Sequence, residues 1–299
     1  KKYDGTFDDD EFYHLKASSR SSVRNIKGIK IERCSPAVVK NKFTSSPQSE
    51  GLTGKPCIHG RNISSVTNFP IALTHKETIS KVGCQSVSSI FGIEPVKGNK
   101  MIMITLPPNY CSRDDVHDDC TSDRSRVEFY DKKGVTNNSK VNYNYWMFIP
   151  SNTDLSQGGR PTTFLGQLNT VAYPFYRSLV MVRWIQGKGI AFQVHNDFSW
   201  ESYQKYYIKD LIPTKKQKDR WINISYTVNV HDDEKGALEI FVDGKSIVKK
   251  EKFPTIKPNG KITLKMGIYN YKISAMGSSR STQKVFFDNI TRSVKSSWN

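Results

Sequence analysis

The sequence predicts an all-β fold, a β-sandwich or jelly roll of two antiparallel sheets. Three observations carry that expectation. Short runs of alternating apolar and polar residues follow one another from Lys100 onward, at the period of two that strands require. Asn, Gly, Asp and Pro separate these runs, and Asp243-Gly244 between LEIFV and SIVKK is a strong hairpin signal. Amphipathic helices are missing; the best candidate is a turn or two near residues 202–211. No repeat at propeller or solenoid spacing suggests another architecture.

Taken in order, residues 1–60 are polar, with Ser/Lys runs and few apolar periods. They read as an N-terminal arm packed on the core, with one strand at 29–33. Residues 61–299 form the jelly-roll domain. Its strands are read at MIMITL (101–106), RVEFY (126–130), VNYNYWMFI (141–149), FLGQLN (164–169), SLVMVRWI (178–185) and GIAFQVH (189–195). INISYTVNV (222–230), LEIFV (238–242), SIVKK (246–250), KITLKMGIYNY (261–271) and KVFFDNI (284–290) complete the set. All are rich in the β-branched and aromatic residues that suit a pleated, half-buried surface.

The run 261–271 is the most informative. Alternation puts Ile262, Leu264, Met266 and Ile268 on one face, an ordinary core face. Thr263, Lys265, Gly267, Tyr269 and Tyr271 share the other. An ammonium and two phenols in a row, with a glycine leaving room between them, suit a groove that grips an acidic polymer.

The bulk properties agree. The 299 residues hold 45 Lys plus Arg against 28 Asp plus Glu, a net charge of +17. Such an excess favours a polyanionic partner: nucleic acid, anionic membrane or acidic polysaccharide. No apolar run approaches the roughly 20 residues that span a bilayer, and no nucleic-acid motif is present. Membrane and nucleic-acid partners are therefore not expected.

Five cysteines contain no CxxC pair, which argues against structural zinc. Cys111 and Cys120 bracket a short polar loop and are the first choice for a disulfide. Four Asn-X-Ser/Thr sequons (Asn62, Asn137, Asn223, Asn289), and a start at Lys1 without an apolar leader, suit a mature secreted protein. The run Asp114, Asp115, Asp118, Asp119 reads as a solvated loop beside that disulfide, so neither metal nor cofactor is expected.

Four strands carry polar residues at period-two spacing. Arg124, Arg126 and Glu128 share one face, Tyr143 and Tyr145 another, Gln167 and Asn169 a third, and Lys265, Tyr269 and Tyr271 the last. Each alone has an ordinary explanation as surface polarity. Together, on one predicted sheet, they form a candidate site. Trp146 should then face the core, opposite to the two tyrosines.

RSRVE, YNYW, GQLN and KMGIYNYK, with Trp221 and the later ALEIFVDGK, resemble the jelly-roll polysaccharide lyases, the group of alginate lyases, glucuronan lyases and heparin lyase I. The resemblance spans about residues 100–290. In that group an R-S/T-E strand, a Q-x-H strand and a Y-F-K-x-G-x-Y strand line one concave sheet. Two departures stand out. The family's glutamate falls on Arg126 if Arg124 is its arginine, and its histidine is Asn169. Gln193-Val194-His195 also reads Q-x-H, though away from the expected spacing.

The resemblance implies a lyase acting as a monomer. It would cleave a uronic-acid polymer of alginate or glucuronan type by β-elimination and leave 4,5-unsaturated ends. Arg124 or Arg126, Gln167 and Asn169 would neutralise the carboxylate, and Tyr269 would serve as base and acid, with nearby cations favouring its phenolate. His195 or Tyr143 is the alternative base. Lys265, Tyr143, Tyr145, Tyr271, Glu128 and Gln193 would contact substrate. The main rival is a lectin-like module that binds acidic polysaccharide without chemistry. A glycoside hydrolase would need a carboxylate pair in an E-x-D-x-x-E pattern, which is missing.

Overall fold

The computed structural model describes residues 67–68, 71–73, 82–86, 100–108, 110–111, 118–155, 162–172, 175–195, 202–271, 273–275 and 281–296. The expected arm at 1–60, with its strand at 29–33, lies outside them. Fifteen strands occur among the described residues: β1 (Ile71–Leu73), β2 (Val82–Ser86), β3 (Lys100–Leu106), β4 (Arg124–Asp131), β5 (Val135–Thr136), β6 (Ser139–Phe148), β7 (Thr162–Ala172), β8 (Phe175–Ile185), β9 (Gly189–His195), β10 (Tyr203–Tyr207), β11 (Trp221–Val230), β12 (Ala237–Val242), β13 (Lys245–Glu251), β14 (Lys261–Tyr271) and β15 (Gln283–Ser296).

They form two antiparallel sheets. The first runs β1-β4-β14-β7-β8-β9-β10, with β5 also paired to β14. The second runs β13-β12-β11-β6-β15-β3-β2. Sequence neighbours such as β6 and β7 fall in different sheets, as in a jelly roll, and the inner faces of both sheets meet in one apolar core. Ile262, Leu264, Met266 and Ile268 of β14 lie in that core beside Tyr145, Tyr226 and Phe287 of the second sheet. The β12–β13 hairpin turns at Asp243 and Gly244, with φ of 48° and 77°, the left-handed pair that a type I′ turn needs.

Two expectations fail here and a third holds only in part. Within 202–211, Tyr203–Tyr207 extends the first sheet as β10, paired with β9, and the expected turn is confined to the residues after it, where the amides of Leu211 and Ile212 donate to the Ile208 carbonyl. Tyr143 and Tyr145 sit on β6 in the second sheet, fully buried in the core and away from any substrate face. Tyr143 donates its hydroxyl hydrogen bond to Asp131 at 2.7 Å, and the Tyr145 and Tyr226 hydroxyls lie 3.1 Å apart. Burial pushes both tyrosines' pKa values up, so neither contacts a sugar nor serves as base. Trp146 does lie opposite the two tyrosines, but that face of β6 is turned away from the main core, and it packs there against a cluster of Met101, Met103, Phe148, Trp221 and Phe286. Both faces of β6 carry aromatics, so alternation alone could not tell inner from outer.

Candidate active site

The outer face of the first sheet gathers polar residues from β4, β14, β7, β8 and β9 in rows across the strands. Strand pairing lines up Arg126, Tyr269, Phe164 and Arg183 in one row. A second row holds Tyr130, Lys265, Gln167, Met181 and Gln193. A third holds Thr263, Asn169 and Ser178.

Bulges make these rows possible. Leu165 and Leu168 of β7 both reach the core, which strict alternation forbids. The register of β7 shifts against β8 between Phe164 and Gly166, and that of β14 against β7 between Met266 and Tyr269. Phe164 therefore joins Gln167 and Asn169 on the outer face. Gly267 stands in the β14 bulge with φ of 149°, and a Cβ there would lie 2.1 Å from the Val127 carbonyl oxygen. Only glycine fits, and it leaves a bare step between Lys265 and Tyr269.

Tyr269 is the centre of the first row. Its ring stacks on Phe164 with centroids 5.2 Å apart, and the Arg126 guanidinium carbon lies 4.8 Å from its centroid. Tyr269 keeps 9 % exposure, in a small cluster with Phe164, Met181 and Tyr271 on the outer face. Burial pushes the phenol up to about 12; Arg124 and Arg126 lower it, but Glu128 and Asp119 offset them. The expected shift toward phenolate is thus reversed, because desolvation outweighs the arginines.

Arg126 is gripped from behind. Its Nε and Nη2 donate to the two Asp119 carboxylate oxygens at 2.7 and 2.5 Å, and its Nη1 lies 3.9 Å from Glu128 Oε2. Burial works against its charge, yet the Asp119 hydrogen bonds and the Glu128 charge keep it firmly protonated. Asp119 is 1 % exposed, so this part of the acidic run is not a solvated loop. The expected disulfide is present, and it joins Cys111 to Cys120, next to Asp119. Arg124 lies over Tyr271, 5.6 Å from its ring centroid, and its buried Nε makes no hydrogen bond among the described residues.

Behind the second and third rows runs a chain of short hydrogen bonds. Gln167 Nε2 donates to Glu128 Oε1 at 2.9 Å. Ser178 Oγ donates to Gln167 Oε1 at 3.0 Å and to Asn169 Oδ1 at 2.7 Å. Burial lowers the Lys265 pKa; Glu128 raises it, Arg126 lowers it and Asp119 raises it. Further along, Arg183 donates to Gln193 Oε1 at 2.6 Å, and Gln193 Nε2 lies 3.1 Å from His195 Nε2. His195 packs against Tyr203. It stands three strands from β14, roughly 14 Å along the sheet, so it is not brought beside Tyr269.

The face thus unites Arg124, Arg126, Glu128, Gln167, Asn169, Lys265, Tyr269 and Tyr271, with Gln193 and His195 at its far side. Sequence reasoning missed Asp119, Ser178, Phe164 and Arg183. Adjacency to Cys120 was the one available signal for Asp119. Ser178 could not be found by alternation, since an extra residue, Leu179, turns it outward. No group of three or more His, Cys, Asp or Glu side chains suited to a metal ion occurs among the described residues.

A family model described as polysaccharide lyase matches residues 87–291. The solved structure of an endo-beta-1,4-glucuronan lyase from the fungus Trichoderma reesei is similar at 12% identity with a TM-score of 0.51, over 71% of this chain and 87% of that one. At that identity the likeness is one of fold. A marine alginate lyase from Aplysia kurodai gives 11% identity and a TM-score of 0.48 over 76% of this chain and 91% of its own. A comparison with curated protein sequences finds no match.

Proposed function

Because this chain belongs to the polysaccharide lyase family, we propose that its outer-face site cleaves a uronic-acid polysaccharide of alginate or glucuronan type by β-elimination, leaving 4,5-unsaturated ends. The observation that carries this reading is the row in which the Tyr269 phenol lies against Arg126, one bare glycine step from Lys265. The net charge of +17 supports a polyanionic substrate.

β-Elimination removes the weakly acidic C5 proton beside a carboxylate and expels the 4-linked sugar. The carboxylate's added charge must be stabilised in the transition state. Gln167 and Asn169, with N–H donors, and Arg124, with its buried Nε, have the right chemistry for that carboxylate. Arg126 is already committed to Asp119 and instead fixes the phenol.

Tyr269 holds its proton at neutral pH, since burial pushes it up to about 12. It is therefore assigned as the acid that protonates the leaving oxygen. Lys265 is assigned as the base: burial disfavours its ammonium form, and it shares the face and strand of Tyr269. The amine takes the C5 proton, the C4–O bond breaks, and the phenol protonates the departing oxygen. Proton exchange with water then resets both groups.

We also assign the protein to the extracellular space as a monomer, which the Cys111–Cys120 disulfide supports for location. The test is incubation with polymannuronate, polyguluronate and polyglucuronate while following ultraviolet absorbance. Unsaturated ends support the reading; new reducing ends without that absorbance sink it.

A further inference from the structure

The inference rests on the reading of this face as a uronate site. We infer that Ser178 is a positioning residue that turns the amino groups of Gln167 and Asn169 toward the substrate's carboxylate.

An amide can present either its oxygen or its NH2 to a ligand, and only the NH2 suits a carboxylate. Two fixed neighbours decide the matter for Gln167. The Glu128 carboxylate can only accept, so the Gln167 atom 2.9 Å from it is the nitrogen. Gln167 Oε1 must then face Ser178, whose hydroxyl donates to it at 3.0 Å. The same hydroxyl lies 2.7 Å from Asn169 Oδ1, and its single proton is shared between the two carbonyl oxygens. Both oxygens point inward at Ser178, and both NH2 groups point away from it.

The backbone is shaped for this arrangement. Leu168 pairs with Val180 and Asn169 with Ser178, leaving Leu179 as an extra residue on β8. Leu179 and Val180 both enter the core, and the bulge turns Ser178 onto the face of the two amides. Ser178 is only 5 % exposed, so little water reaches it to compete for those oxygens.

The experiment compares Ser178→Ala, Ser178→Thr and Asn169→Asp. Side-chain amide NMR of the full chain, without ligand, reads orientation independently of activity. Ser178→Ala should shift and broaden the Gln167 and Asn169 NH2 resonances, and Ser178→Thr should restore them. On the polyuronate that the wild type cleaves, Ser178→Ala should lower kcat/KM about tenfold, the scale of one lost hydrogen bond, with rescue by Ser178→Thr. In an Asn169→Ala, Gln167→Ala background the Ser178→Ala loss should vanish, because nothing remains to be positioned. Asn169→Asp, which can still accept from Ser178 but repels a carboxylate, should weaken polymer binding at least tenfold.

Unchanged amide resonances in Ser178→Ala, or a loss that persists in the double-alanine background, would overturn the inference. So would normal polymer binding by Asn169→Asp. A wild type inactive on every polyuronate would sink the lyase chemistry instead, while the amide resonances would still decide the role of Ser178.

Discussion

Arg126 lies over the ring of Tyr269, its guanidinium carbon 4.8 Å from the centroid, while Asp119 binds the guanidinium through both carboxylate oxygens. The cation therefore braces the phenol and is not available as a free partner for substrate. Arg124, two residues away on the same face, keeps an Nε without a hydrogen bond among the described residues.

The two arginines should consequently behave differently on mutation. Arg126→Ala removes the guanidinium whose charge balances the buried Asp119 and Glu128 carboxylates and should cost about 3–5 kcal/mol in urea unfolding. Arg124→Ala should unfold nearly as the wild type does but raise KM for the polymer. Equal effects on stability would contradict the division of roles.

Gly267→Ala should be severe for a different reason. Its new Cβ meets the Val127 carbonyl oxygen at 2.1 Å, at a φ of 149° that side chains rarely adopt. A loss above about 3 kcal/mol is expected, a fall in Tm of roughly 6–12 °C by calorimetry. A Tm near that of the wild type would show that the β14 bulge relaxes easily.

Much of this was legible beforehand. The apolar period of KITLKMGIYNY and the Asp243-Gly244 turn marked the central strand and a hairpin, because period-two burial and left-handed turn residues are local properties. Which strands shared a sheet was not local. YNYW has aromatics on both faces, and its tyrosines became core residues of the second sheet. Ser178 and Phe164 were hidden by bulges that break the period, and the depth of Tyr269 could not be read from its neighbours. The cations beside it suggested a lowered pKa, whereas burial raised it.

The pH dependence of the reaction follows from these pKa directions. Lys265 must be deprotonated as base, and burial favours that form. The kcat/KM should rise with pH and level off below the ordinary lysine value of about 10.4. Tyr269 must be protonated, and its pKa is pushed up to about 12, so the alkaline fall should come only near there. The sign for stability is the same: its pKa is raised above the unfolded value, so the phenol's contribution is full below about 10 and is lost as pH rises through about 12. A rate that falls between neutral pH and 10 would contradict the assignment.

Reduction of the Cys111–Cys120 disulfide should reach the site through Asp119, the residue beside Cys120. Cys111→Ser with Cys120→Ser should lower stability by about 2–3 kcal/mol and lower kcat more than it raises KM. Unchanged kcat in a folded double variant would show that Asp119 needs no such anchor.

The most direct measurement is product absorbance from a polyuronate treated with wild type and with Tyr269→Phe. The wild type should release unsaturated, ultraviolet-absorbing ends. Tyr269→Phe should lose at least about a hundredfold in rate while binding the polymer nearly as well. Wild-type binding without any absorbance, or full activity in Tyr269→Phe, would contradict it.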